Sequence, residues 1–145
     1  MTLLLRAAGV SLLGLATVAC GGEGTEDVSD EAAIERLMGE WFAAYEDGDA
    51  AALTALFVEE CAYLQPIAVV DMQQLHRRAE EITFDLTGVD IQNLTGDTAS
   101  VMAEGLGWFD GKQVPLGSEG GDYTPLVKQN GEWKISSCDF LGANR

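Results

Sequence analysis

At 145 residues, with 47% hydrophobic and 22% charged side chains, the chain has room for one globular domain, which excludes a multidomain assembly. Its 24 acidic residues against 8 basic ones give a net charge of -16, which repels polyanions and excludes nucleic acid and a bare anionic membrane face as partners. The apolar fraction is too high for a disordered acidic tail, so the chain folds.

Residues 1–19 stand outside that fold. Arg6 leads into an uncharged apolar run from Ala7 to Ala19, the pattern of an export signal peptide. A spanning helix needs about 20 apolar residues with flanking anchors, and this run is bounded by Arg6 and by Gly21-Gly22. The segment Thr17-Val18-Ala19-Cys20-Gly21-Gly22 resembles a bacterial lipobox. That resemblance implies cleavage before Cys20 and a diacylglycerol on its sulfur, with palmitate-type chains holding the protein to the outer face of the plasma membrane or the cell envelope. Thr17 departs from the motif, which usually has Leu there. The alternative is an ordinary secretory cleavage near Ala19. Residues 20–29, Gly-rich and acidic, form a flexible tether to a domain at 30–145.

Three cysteines are present, and lipidation of Cys20 leaves Cys61 and Cys138 as an even pair. An exported protein meets an oxidising compartment, so these two are expected to pair. The loop they close spans most of the domain, and chain entropy gives such a bridge about 4 kcal/mol. A metal site would need more than the single His, and no metal or cofactor is expected. A thiol paired with His76 as nucleophile would need a reduced cysteine outside the cell.

Ser29 or Asp30 caps a first helix, with Asp30 and Glu31 at the positive end of its dipole. Ile34, Leu37, Met38, Trp41, Phe42 and Tyr45 follow at spacings of three and four, and Gly48 ends the helix. Asp49 starts a second, shorter helix through Leu53, Leu56 and Phe57. A short strand from Ala62 to Gln65, halted by Pro66, precedes a third helix capped at Asp71 and running to about Glu80. Ile82, Phe84 and Leu86 alternate, Gly88 interrupts, and Val89 and Ile91 resume on the other parity, which predicts a bulged strand. Gly96-Asp97 turns the chain into a strand through Val101, Ala103 and Phe109, followed by a long Gly-rich loop from about Asp110 to Gly121. Asn130-Gly131 predicts a type I′ hairpin that sets Leu126 opposite Ile135 and Lys128 opposite Trp133. The fold class is α+β.

Trp41-Phe-Ala-Ala-Tyr-Glu-Asp-Gly-Asp49 with Leu56-Phe57, and the closing Leu126-Val-Lys-Gln-Asn-Gly-Glu-Trp-Lys-Ile135, resemble the opening and closing signatures of the nuclear transport factor 2-like superfamily, which includes SnoaL-like cyclases and ketosteroid isomerase. The resemblance implies a cone-shaped, curved antiparallel sheet wrapped by three N-terminal helices around an apolar cavity. It also implies places for the isomerase's base, tyrosine and oxyanion-holding acid, and these fall on Gln65, Trp41 and Pro125. None of the three can play its part: an amide does not titrate, an indole donates only weakly, and proline has no side-chain donor.

Trp41, Tyr45, Tyr63, Gln65, His76 and Phe84 are the expected pocket residues. His76 facing the cavity would be a general base, but its polar neighbours, Leu75 excepted, favour an exposed helical position. Glu104 falls on the parity opposite Val101, Ala103 and Gly105, which turns it outward. Trp108 and Trp133 could also reach a pocket, with core packing the expectation for Trp133. The expected role is non-catalytic: the cavity binds a small apolar ligand, or the open sheet face binds another protein such as a second copy. The alternative is a SnoaL-like isomerase, lyase or hydrolase acting on a small apolar substrate.

Overall fold

The computed structural model describes residues 28–62, 66–116 and 123–138. The signal, Cys20 and nearly all of the tether, together with Tyr63 and Gln65, lie outside the described residues.

The first helix, α1 (Asp30–Asp47), begins where Ser29 Oγ accepts a hydrogen bond from the Ala32 N–H at 3.2 Å. Its stripe buries Ile34, Leu37, Met38, Phe42 and Tyr45. It stops at Gly48, whose φ of 69° only glycine adopts at little cost. Asp49 then caps α2 (Ala50–Ala55), its carboxylate accepting from the Ala51 and Ala52 N–H groups at 3.0 and 2.9 Å. This helix ends two residues short of Phe57, which instead makes a parallel bridge with Ile135.

Ala62 closes a single helical turn, α3 (Glu59–Ala62), where a strand was expected to start; the remainder of that expected strand lies outside the described residues. The next helix, α4, spans Ile67–His76, not Asp71 to Glu80. Pro66 opens it with a fixed φ of -48°, and Ala68, Val69 and Met72 form the buried side. The β-branched run Ile67-Ala-Val-Val had obscured this periodicity, and Asp71 is a mid-helix residue instead of a cap.

The sheet is antiparallel and curled, with order β1-β2-β4-β5 over β1 (Ile82–Gln92), β2 (Thr98–Phe109), β4 (Thr124–Gln129) and β5 (Glu132–Ile135). The predicted bulge is present, with the register of β1 on β2 shifting between Leu86 and Gly88. The expected loop after Asp110 proves to be a tight hairpin. Asp110 and Gly111 both take positive φ, 50° and 77°, and β3 (Lys112–Leu116) pairs back on β2. Asp-Gly carries the same type I′ signal as Asn-Gly, and the Gly, Ser and Pro residues beyond it had masked that signal. The second edge of β2 is therefore shared, with β3 on its C-terminal half and β4 on its N-terminal half.

The closing hairpin has the predicted register, Leu126 opposite Ile135 and Lys128 opposite Trp133. The carboxylate of Asp30 accepts from Lys128 Nζ at 2.6 Å and from Trp133 Nε1 at 3.0 Å, so the first turn of α1 is clamped to the closing hairpin. Cys61 and Cys138 form the expected disulfide, joining α3 to the segment after β5. One core runs between the helices and the inner sheet face, centred on Ile34, Met38, Leu53, Met72, Val101 and Ile135.

Candidate ligand-binding site

Directly opposed residues share a sheet face, so the registers divide the sheet cleanly. Phe84, Gly105, Gly107 and Phe109 face inward toward α1, and Glu104, Leu106 and Trp108 face outward. Glu104 is exposed, as its parity predicts. Trp108 is on the outer face and does not reach the interior, whereas Trp133 is core, 4% exposed and bonded to Asp30.

On the inner side, the second half of α1 brings Trp41, Phe42 and Tyr45 onto Phe84 of β1 and Phe109 of β2. Ring centroids lie 4.9 Å apart for Trp41 and Tyr45, 5.7 Å for Tyr45 and Phe84, 6.0 Å for Phe42 and Phe84, and 5.7 Å for Phe84 and Phe109. The contacts of Phe84 are edge-to-face, each worth about 0.5–1.5 kcal/mol beyond its buried area. Phe42 and Tyr45 are buried, while Trp41, Phe84 and Phe109 keep part of their surface open. The approach is close enough to demand glycine at 105, where a Cβ would stand 2.7 Å from the Phe42 ring and from the Asp85 carbonyl.

Polar groups around these rings are few. Burial, and secondarily the charge of Asp71 on α4, push the Tyr45 phenol up to about 12, so it stays a protonated donor at neutral pH. Glu46 Oε2 accepts from the Phe84 N–H at 2.7 Å and thereby ties α1 to the start of β1. Thr124, on the inner side of β4, is the buried polar residue among those described.

Trp41, Tyr45 and Phe84 are thus brought into ring contact with one another. His76 is not among them. It is exposed at the end of α4, where Nε2 lies 2.9 Å from the Tyr45 backbone carbonyl and its ring covers Gly48. Its place follows from the earlier start of α4, which puts residue 76 at the helix terminus and turns it to the end of α1. Tyr63 and Gln65 lie outside the described residues. Pro125, the position counted for an oxyanion acid, is on the outer face of β4; the inward neighbours are Thr124 and Leu126, neither of them acidic. Phe42, Phe109, Glu46 and Thr124 are further inner-side residues. The parity of Phe109 with Phe84, and of Thr124 with Leu126, could have identified two of them from sequence. Glu46 carried no such signal, because its role depends on tertiary contact.

The rings form an apolar cluster, packed largely edge-to-face, with one phenolic donor and part of its surface open, and such a surface can take an apolar molecule. The described residues contain no group of three or more His, Cys, Asp or Glu arranged to hold a metal, and no helix among them is long and apolar enough to cross a membrane.

Comparison with known proteins agrees with this architecture. The family model described as SnoaL-like domain matches residues 26–139, and the chain belongs to that family. The fold is similar to that of a proposed scytalone dehydratase from Novosphingobium aromaticivorans (18% identity, 73% of this chain and 78% of that one, TM-score 0.57). It is also similar to a proposed dehydratase of the NTF2-like family from Streptomyces avermitilis (18% identity, 73% and 91% covered, TM-score 0.54). A third similar structure is a cystatin-like protein of unknown function from Nostoc punctiforme (14% identity, 73% and 85% covered, TM-score 0.54). At these identities the likeness concerns the fold. No curated protein matches the sequence.

Proposed function

We propose that this SnoaL-like domain is an exported, lipid-anchored binding protein whose inner aromatic wall holds a small apolar ligand without transforming it. The observation that carries this reading is the chemistry of the groups at the wall. Acid-base catalysis near neutral pH calls for a group poised to gain and lose a proton there. The Tyr45 phenol, at about 12, stays protonated. Glu46 is engaged by the Phe84 N–H, and His76 is engaged on the far side of Tyr45 by a backbone carbonyl. What these groups supply is a donor and a set of rings. Export is supported by the leader, by Cys20 with its flanking small residues and by the Cys61–Cys138 bond, which suits an oxidising compartment.

A second reading rests on one pairing. Burial and then the charge of Asp71 raise the Tyr45 phenol, and a protonated phenol can donate to a substrate oxygen, as a lyase or hydratase would need. Dehydratase names among the similar structures lend weight to that class.

The neutral fluorophore N-phenylnaphthylamine tests the first reading. The protein should bind it saturably, and Trp41→Ala and Phe84→Ala should each weaken binding by about tenfold while the circular dichroism spectrum is unchanged. Binding that is absent, or indifferent to both changes, would remove the aromatic wall as a ligand site.

A further inference from the structure

The outer face of the sheet has a composition of its own. Along β2 the outward residues are Thr98, Ser100, Met102, Glu104, Leu106 and Trp108: two hydroxyls at its start, then three apolar side chains with a carboxylate between them. Asp85 of β1 stands opposite Leu106, and Asp90 stands opposite Met102, with its carboxylate already accepting from the Tyr123 hydroxyl and from Gln92 Nε2. The bulge puts Gly88 opposite Glu104; the carboxylate lies close over the glycine, where an added Cβ would touch Oε2 at 3.7 Å, but glycine has no side chain to cover it. Lys134, a basic side chain of this face among the described residues, is engaged by the Ala55 carbonyl at the end of α2 and by Glu132. Toward β4 the face opens into a hollow of about 640 Å³, lined in part by Ser100, Pro125, Val127 and Ser136, with Glu60 on its wall. The helices of the core pack on the other side of the sheet.

We propose that this outer face docks a basic partner protein, through a segment in which Lys or Arg alternates with apolar side chains. The spacing fits an extended strand, whose side chains on one face recur every second residue as those of β2 do. Apolar side chains would meet Leu106 and Trp108, and cations would meet Glu104 and Asp85, with an anchor side chain reaching the hollow beside Glu60. A second copy of this chain is the poorer occupant. It would bring these same carboxylates against one another in a partly desolvated contact, on molecules that each carry a charge of -16. A free polycation is a poorer fit as well, because it would leave the apolar residues between the acids uncovered. The inference concerns the opposite side of the sheet from the aromatic wall and stands independently of the ligand proposed there.

The test uses the detergent-extracted mature protein and a short synthetic peptide alternating Lys and Val. Saturable binding is expected, with amide shifts at Glu104 and Leu106. Asp85→Lys with Glu104→Lys should weaken it by about tenfold or more. The same charge change at Glu35 and Asp47, exposed on α1, should weaken it much less. A peptide alternating Lys and Ser should also bind markedly more weakly. If the doubly substituted protein does not fold, Asp85→Asn with Glu104→Gln makes the same comparison. Absence of binding, equal loss in the α1 control or equal binding of the Lys-Ser peptide would each overturn the proposal. So would a concentration-dependent dimer that Leu106→Ser dissolves, because the face would then belong to a second copy.

Discussion

The two ends of α1 are held in different ways. At its N-terminal end, Asp30 is bonded to both Lys128 and Trp133 on the closing hairpin. The nearby strand β5 exchanges backbone bonds with the segment after α2, Val58 N–H to the Ile135 carbonyl and Ile135 N–H to the Leu56 carbonyl. The disulfide adds a covalent tie across 77 residues of sequence. At the C-terminal end, five rings lean on one another and three of them keep open surface, with two side-chain bonds to backbone, from Glu46 and His76. One end is cross-linked between distant parts of the chain, and the other is assembled from contacts that a ligand can replace. In the proposed binding role the cross-linked end would hold the fold while the partly open rings meet the ligand.

Breaking the stapled end should have the largest effect on stability. Cys61→Ser and Cys138→Ser are each expected to lower the unfolding free energy by about 4 kcal/mol, to a similar degree, in urea titrations of the oxidised protein. The aromatic end should survive, so N-phenylnaphthylamine should still bind under native conditions. If neither substitution nor reductant moved the midpoint, packing alone would hold that end and the contrast would lose its covalent half.

At the other end the most sensitive point is Gly105. A methyl group there would meet the Phe42 ring and the Asp85 carbonyl, both 2.7 Å from the position of the Cβ. Gly105→Ala is expected to cost about 1–3 kcal/mol by overpacking. Because it pushes Phe42 away from Phe84, it should also lower fluorophore affinity, which the cysteine substitutions should not. Equal affinity in Gly105→Ala would mean that the Phe42 contact does not shape the wall.

Much of the stapled end was legible in the sequence, because its devices are local or follow simple parity. Asn130-Gly131 fixes the closing register, and an even pair of cysteines beside an export-type leader predicts a bond. The bond from Asp30 to Lys128 and Trp133 was not, although the lysine-indole pairing was: 98 residues separate Asp30 from Lys128, and no spacing rule reaches that far. At the aromatic end, helical spacing brought out Trp41 and Tyr45 and strand alternation brought out Phe84. For His76 the polar neighbours pointed to an exposed helical place, and it is exposed, at the last position of a helix that starts at Ile67, five residues before a helix capped at Asp71 would have started. The β3 hairpin was missed, since Asp110-Gly111 carries the signal but its surroundings spoke for a loop.

The smallest expected effects lie at the extremes of pH, where the two ends titrate in opposite directions. Hydrogen bonds from Lys128 and then Trp133 hold the Asp30 carboxyl below its ordinary value of 3.8. A lowered folded-state value stabilises the fold above the unfolded value, and that contribution disappears as pH falls through the folded one. Asp30→Asn should therefore flatten the acid limb of a melting-temperature profile and leave the alkaline limb alone. Tyr45 is the converse, raised from 10.0 to about 12 chiefly by burial. Its folded state holds a proton that the unfolded chain has released, so stability declines as pH rises between those values. Tyr45→Phe should remove that decline with no effect in acid. Because each substitution removes the titrating group from one end only, the acid limb reports the clamp on the hairpin and the alkaline limb the dry surroundings of the rings. A ligand seated on the wall against Tyr45 would steepen the alkaline limb alone, since ionising the phenol would then also expel the ligand.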